Sequence, residues 1–344
     1  MRMPFLVAAV DRALQDEAAP VRGESLVVGL SGGADSVALT DALASLQRRR
    51  GFRLVAAHLD HALRPGSADD AAFCHAFCGT LGVPIRCGTA NVRARASREK
   101  GGLEQAARHE RYSFLRRVMD DDGAVAIVVG HTEDDQAETL LLRLLRGAGA
   151  SGLAGMRPRS GCILRPLLGV SRARVVEHLR ARGIAWREDP SNADPAHLRN
   201  RVRHELLPYL EQRFNPRVRE ALARTAALLA DEASLIGTQA EELVASIGSR
   251  DGEALVLDRL RLAEAPLAVA RAAVRLALSR TGGLAGIDRG HIDRVLRVAR
   301  SVAPAGRRLQ FPSGREARFT HRRLRLEKRA FEVTKAVSSS RTKP

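Results

Sequence analysis

The sequence predicts an α/β chain: a doubly wound parallel sheet, then a helical linker, then a smaller α+β domain. Three observations predict it. Between residues 24 and 131, short apolar runs alternate with longer segments of helical period, as repeated βα units do. A glycine-rich turn, Gly29-Leu30-Ser31-Gly32-Gly33-Ala34-Asp35-Ser36, joins the first apolar run to the first long helix. From 215 to 247 the chain is almost wholly helix-compatible, and strand-like alternation returns only after 307.

The elements follow in order. The opening stretch has a short apolar piece that meets Asp11 and Arg12 at once, so it reads as an amphipathic helix and not as a secretory signal. Residues 26–30 form a strand and 37–50 a helix. A second strand over 53–59 closes on His58-Leu59-Asp60-His61, and a helix over 69–81 ends near Gly82. A short strand over 84–87, a long helix over 103–119, a strand over 124–129 and a helix over 132–145 complete the pattern, with Gly147 and Gly149 as the stop. In such sheets ligands sit beyond the carboxyl ends of the strands, where the strand order reverses. The first strand delivers SGGADS there, the second HLDHALR and the fourth GHTEDD.

Further on, Leu222, Ala226, Leu229 and Leu235 keep helical spacing, and helices follow over 267–279 and 288–302. Alternating runs over 307–311 and 317–325 flank Pro312-Ser313-Gly314 and read as a hairpin with arginines facing outward. The expected domains are 1–214, catalytic, and 215–336, linker and C-terminal domain, with a flexible tail over 337–344.

Composition bounds the function. No apolar stretch approaches the roughly 20 residues that span a bilayer, so a cytoplasmic protein with no membrane partner is expected. The formal charge is +17, and only four of the 56 basic residues are Lys. Residues 305–344 carry 12 basic and 3 acidic side chains, a concentration that favours nucleic acid over mere solubility. Cys74, Cys78, Cys87 and Cys162 include no CxxC pair, and Phe73, Cys74, Phe77 and Cys78 lie at core spacing, so buried free thiols are expected rather than a disulfide or metal framework.

The chemistry lies in the polar motifs. Ser31, Gly32, Gly33, Ala34, Asp35 and Ser36 place free backbone N–H groups at a helix start, an anion cradle. The Lys of a Walker loop is absent. Asp35 is either an ordinary first-turn carboxylate or the holder of Mg2+ on a pyrophosphate. Residues 131–139 put acids at 133, 134, 135 and 138, and Asp135 and Glu138 share one helix face. Beside a phosphate cradle such acids need a cation between, either magnesium or the ammonium of an amine substrate. Downstream, Arg199 and Arg203 fall on one helix face and Arg201 on another.

SGGADS resembles the pyrophosphate (PP) loop of the N-type ATP pyrophosphatases, Rossmann-like enzymes that cut ATP to AMP and pyrophosphate. SGGADS, HLDHALR, EQAARHERYSFL, GHTEDDQAETLLLRLLRGAGASGLAGM, LRPLLGVSR, WREDPSN and LRNRVRHELLPYL stand in the order seen in the tRNA(Ile)-lysidine synthetase family, a resemblance covering roughly residues 24–215. One departure is GHTEDD, where many members have a second His after His131. The part beyond 215 matches less closely and looks like a short form of the family's tRNA-binding domain.

The resemblance implies an ATP-dependent ligase with ATP and Mg2+ as cofactors. Its partners would be a tRNA(Ile) with a CAU anticodon and free L-lysine; the oligomeric state stays open, a homodimer included. ATP would adenylate the ring carbonyl of the wobble cytidine, and the lysine ε-amine would then expel AMP, giving lysidine and AUA decoding. Ser31, Gly32, Gly33, Ala34, Asp35 and Ser36 would bind ATP, with Asp35 on magnesium. Asp135 and Glu138 would hold the amine, and Arg108 or Arg111, with Arg201, would neutralise phosphate charge. Arg199, Arg203, Arg307, Arg308, Arg315, Arg318, Arg322, Arg323 and Arg325 would bind tRNA. Two other readings are a different pyrophosphate-loop enzyme, a thiolase or an amidating synthetase, and a non-catalytic RNA binder. The missing CxxC and glutaminase Cys argue against the first, and the acidic cluster against the second.

Overall fold

A computed structural model of the chain describes residues 3–17, 22–62, 66–97, 102–188, 194 and 196–328. Two compact units emerge, Met1–Ala230 and Asp231–Pro344. The sequence reading divides the chain at 214/215, ahead of the long helix; the compact units divide inside that helix.

The first unit opens on helix α1 (Phe5–Asp16), then strand β1 (Ser25–Gly29), α2 (Ala34–Arg50), β2 (Arg53–Asp60), α3 (Ser67–Leu81) and β3 (Ile85–Thr89). A short α4 (Val92–Ala96) and the long α5 (Gly102–Asp121) lead to β4 (Ala126–Val128) and α6 (Glu133–Leu145). Then come α7 (Ala150–Leu153), β5 (Arg159–Ser160), β6 (Ile163–Leu164) and α8 (Arg172–Ala181). The strand order is β3-β2-β1-β4-β6-β5, all neighbours parallel except β5 with β6. The α/β class and the doubly wound parallel sheet are therefore as expected.

β1 is apolar throughout because both its faces are covered. Leu26 and Val28 join the core with α1, α2 and α8, while Val27 faces Tyr112, Phe114 and Leu115 of α5. β1 lies between β2 and β4 with Leu26, Val27 and Val28 beside Ala126, Ile127 and Val128. That pair is where the order reverses, and its carboxyl ends carry SGGADS and GHTEDD side by side. The segment 198–213 forms α9 (Leu198–Arg201), a π-turn (Val202–Leu206) and α10 (Leu207–Arg213), with Val202 and Leu207 packed on Ala137 and Leu141 of α6.

Helix α11 (Val218–Ile247) precedes the antiparallel sheet of the second unit. Its strands are β7 (Gly248–Asp251), β8 (Ala254–Asp258), β9 (Arg308–Phe311), β10 (Arg315–Phe319) and β11 (Arg323–Lys328), in the order β7-β8-β11-β10-β9. Helices α12 (Arg259–Glu264), α13 (Leu267–Arg280) and α14 (Arg289–Ala299) supply a separate core. Here the sequence reading needs correction. The run read as one strand over 317–325 is two strands, because Thr320 bonds Arg323 across a tight turn that has no Gly or Pro to mark it. The β7–β8 pair, which turns at Gly252 (φ +61°), has no counterpart in the sequence reading.

Candidate active site

The cradle forms as the SGGADS turn requires. Gly32 stands at φ +85°, open to glycine and strained for other residues. Ser36 Oγ donates to the Gly33 carbonyl at 3.0 Å and accepts from the Ser31 amide at 3.1 Å, so the turn closes on itself. Gly130, after β4, passes so close that a Cβ there would stand 2.9 Å from the Asp35 carbonyl oxygen. That approach keeps the β4 end against the start of α2.

A cleft of about 850 Å3 opens beside this junction, lined by Asp35, Thr132, Asp134, Asp135, Glu138, Arg172, Arg203, His204 and Arg219 among others. Asp35 Oδ2 accepts from Arg172 Nη1 at 2.6 Å, while Oδ1 is buried with no hydrogen-bond partner. Burial lifts the Asp35 carboxyl from 3.8 to about 6, against the pull of Arg172. Among the described residues no three His, Cys, Asp or Glu form a metal-holding group.

Across the cleft, Thr132 caps α6. Its amide donates to Asp135 Oδ2 at 2.9 Å, and its hydroxyl accepts from the Asp135 amide at 3.5 Å. Asp134 Oδ2 accepts the Arg172 amide at 2.7 Å, and Asp134 Oδ1 pairs with Arg219 at 3.2 Å. Asp135 and Glu138 do share one face, and both meet Arg199 and Arg203. Arg199 donates to Glu138 at 2.8 Å and Asp135 at 3.1 Å; Arg203 donates to Glu138 at 2.5 Å and 3.0 Å and lies 3.4 Å from Asp135. Both arginines belong to the α9–π-turn stretch, and π-turns often mark functional sites. Burial pushes the Asp135 carboxyl up, but Arg199, the Thr132 amide, His131 and Arg203 together hold it below its ordinary value.

Gln136 and Arg143 explain the rest of the long motif. The Gln136 side chain exchanges two hydrogen bonds with the Met156 backbone, and Arg143 donates to the Gly152 and Gly155 carbonyls, so α6 carries the GLAGM turn with it.

On the α5 side, Arg108 and Arg111 both lie over the Tyr112 ring, at 5.0 and 5.5 Å. Arg111 is the deeper; burial pulls its guanidinium down, and its charge is felt at Asp135 and Arg199. Burial drives the His131 ring to about 3 in spite of Asp135, so it is neutral near pH 7, and its Nδ1 is buried without a partner. Arg201 is exposed and is not among the cleft residues. Asp189 to Asn192 of WREDPSN lie outside the described residues. All four cysteines are free thiols; Cys74 and Cys78 are buried and pushed by burial to about 12 and about 11, as the core reading expects, but Cys87 is exposed and Cys162 half-buried, which corrects it for those two.

The sequence reading misses Arg172, Arg219 and His204. The LRPLLGVSR motif is the one available signal for Arg172.

In the second unit the arginines divide. Arg307, Arg308, Arg322 and Arg323 are exposed. Arg318 is half-buried and pairs with Glu316 at 2.9 Å and Glu327 at 3.3 Å; Arg325 pairs with Glu327 at 2.8 Å and with Asp251. Arg315 corrects the expectation of outward arginines. It is only 3% exposed and donates to the backbone carbonyls of Gly282, Ala285 and Pro312, because β10 is an inner strand of the sheet. Arg199 and Arg203, expected on tRNA, face carboxylates instead.

Comparison with known proteins agrees with this geometry. The PP-loop domain family matches residues 6–210. The tRNA(Ile)-lysidine synthase of Geobacter sulfurreducens is 43% identical over 292 residues, 83% of this chain and 61% of that protein. The synthase of Thermobifida fusca is 43% identical over 267 residues, covering 76% of this chain and 78% of that one. That of Dehalococcoides mccartyi is 34% identical over 319 residues, 90% and 67% of the two chains. The chain thus spans about 61% of the length of the Geobacter relative. Among solved structures, the U34-tRNA thiolase NcsA from Methanococcus maripaludis shares the fold, with TM-score 0.54 at 16% identity over 66% of this chain and 78% of that one. With the cradle and acidic helix meeting where β1 and β4 adjoin, and with this identity over most of its length, the chain belongs to the tRNA(Ile)-lysidine synthase family of PP-loop proteins.

Proposed function

We propose that the chain is an ATP-dependent ligase that joins L-lysine to the wobble cytidine of a tRNA(Ile) with a CAU anticodon. The observation that carries the reading is the carboxylate pair Asp135 and Glu138, filled by two guanidinium forks beside an anion cradle. The pair is built to hold an organic cation within reach of a nucleotide.

In the first step the cytidine carbonyl oxygen attacks the α-phosphorus of ATP and pyrophosphate leaves. The free amides of the SGGADS turn receive the β- and γ-phosphates. Asp35 Oδ1, buried and unpartnered, fits a magnesium ion, whose bound form would neutralise pyrophosphate charge. Arg172, on Asp35 and Asp134, and Arg111, whose charge reaches Asp135, supply fixed positive charge.

In the second step the lysine Nε attacks the ring carbon, and AMP departs with the former carbonyl oxygen. Asp135 and Glu138 orient the amine and one takes its proton. The lysine ammonium replaces a guanidinium fork, and the released Arg203 or Arg199 turns to phosphate. No described helix is long and apolar enough to cross a membrane. The reading therefore sets the chain among tRNAs in the cytoplasm, with the exposed arginines Arg307, Arg308, Arg322 and Arg323 on tRNA phosphates.

The test is product analysis with labelled ATP. AMP and pyrophosphate should form in equal amounts only with the CAU tRNA(Ile) present, and turnover should need lysine. ADP as product, or AMP release independent of tRNA, would contradict it.

A further inference from the structure

Aromatic side chains make up only 3% of this chain, yet two stand together at the surface. Tyr209 is 55% exposed and Phe214 71% exposed, with ring centroids 5.8 Å apart at an interplanar angle of 62°. Among the described residues the other exposed aromatic is Phe5, whose ring has the Arg174 guanidinium 5.2 Å from its centroid. We propose that Tyr209 and Phe214 form a stacking platform for an unpaired RNA base next to the reacting nucleotide.

The platform is rigidly mounted. Leu207 is fully buried and Leu210 packs beside it, both against the α6 side, so α10 turns Tyr209 outward. The Phe214 and Asn215 amides both donate to the Leu210 carbonyl, at 3.0 and 2.9 Å, and the Arg217 amide donates to Asn215 Oδ1 at 2.9 Å. The loop that carries Phe214 is thus fixed before any ligand arrives.

It also adjoins the cleft. Arg219 pairs with Glu211 of α10 at 2.7 Å and with Asp134 of the acidic cluster at 3.2 Å, so one side chain links the platform helix to the cleft wall. Exposed Arg213 and Arg217 flank Phe214. Aromatic faces with arginines beside them fit the bases and phosphates of a single strand. A second copy of this chain docking through the same patch would bring arginine against arginine, which disfavours a two-fold self-contact.

The assignment of the strand to an anticodon loop, with the reacting nucleotide beside the base, rests on the proposed function; a platform for an unpaired base does not. The test uses the full chain and an RNA hairpin of the CAU anticodon stem-loop, with 2-aminopurine replacing a loop adenine. Wild-type binding should quench the fluorophore. Phe214→Ala and Tyr209→Ala should weaken hairpin binding roughly 5- to 100-fold and abolish the quench, with the salt slope unchanged. Arg213→Ala and Arg217→Ala should instead flatten the slope by roughly 0.7 each. Phe214→Trp should retain both affinity and quench. Unchanged affinity and quench in Phe214→Ala overturn the platform, as does a wild-type chain that fails to bind the hairpin. A change of sedimentation in Phe214→Ala with hairpin binding intact makes the patch a self-association face and also overturns it. Quenching by a wild type that transfers no lysine leaves the platform standing and removes the lysidine reading. Lysine transfer with an unaffected Phe214→Ala does the reverse.

Discussion

Glu138 is a carboxylate with no exposed surface, and two guanidinium groups compensate it. Glu138→Gln leaves both guanidinium groups with Asp135 as their carboxylate partner and should destabilise the first unit by about 1–3 kcal/mol in a urea titration. Asp135, at 15% side-chain exposure, is the cleaner probe of mechanism. Asp135→Asn should slow lysine transfer more than adenylation, so adenylated tRNA accumulates under single turnover. Equal losses in the two half-reactions would put the carboxylate on the nucleotide instead. Asp35 makes a different statement. Its carboxyl stands at about 6 in the folded chain against an ordinary 3.8. Between those values the folded chain keeps a proton that the unfolded chain has lost. Stability therefore falls as pH rises from about 4 to about 6, by up to about 3 kcal/mol. Denaturation curves across that range should lose this component in Asp35→Asn. The same variant should fail to release pyrophosphate while binding tRNA nearly as well as the wild type.

At the scale of elements, SGGADS and GHTEDD are legible as one site in the sequence because a parallel sheet aligns its carboxyl ends, so polar runs after adjoining strands meet. The acidic helix start is legible too, since 135 and 138 fall on one face. The partners are not. Arg172 lies 137 residues from Asp35, and no local period marks that pairing. Spacing shows that Arg199 and Arg203 share a face, but nothing local shows that this face meets Glu138, 61 residues upstream of Arg199. In the second unit, alternation runs on through 320–322 and hides a turn, and with it the inner position of β10. Arg315 consequently reads as surface in the sequence and is core in the fold. Arg315→Ala should lower the melting temperature of the second unit, because three backbone carbonyls lose their donor. Replacing Arg322 and Arg323 by Ala should leave stability within about 0.5 kcal/mol. It should also reduce the log–log salt slope of tRNA binding by roughly 0.7–0.9 for each phosphate left without its arginine. A slope unchanged by that double substitution would put the tRNA-binding surface elsewhere.

Over the whole molecule, the net charge of +17 coexists with a carboxylate cluster lining the cleft beside the SGGADS turn. A protein that only bound polyanions would be weakened by those acids, whereas one that must hold an amine beside a nucleotide requires them. Transfer of lysine itself reads out that pairing of opposite charges. The full chain is incubated with ATP, labelled L-lysine and unmodified CAU tRNA(Ile), with CAU-bearing tRNA(Met) as control. Label should appear in the isoleucine tRNA, dependent on ATP and lost in Asp135→Asn, with little in the methionine tRNA. Absence of label from tRNA(Ile), with ATP still consumed, would contradict it.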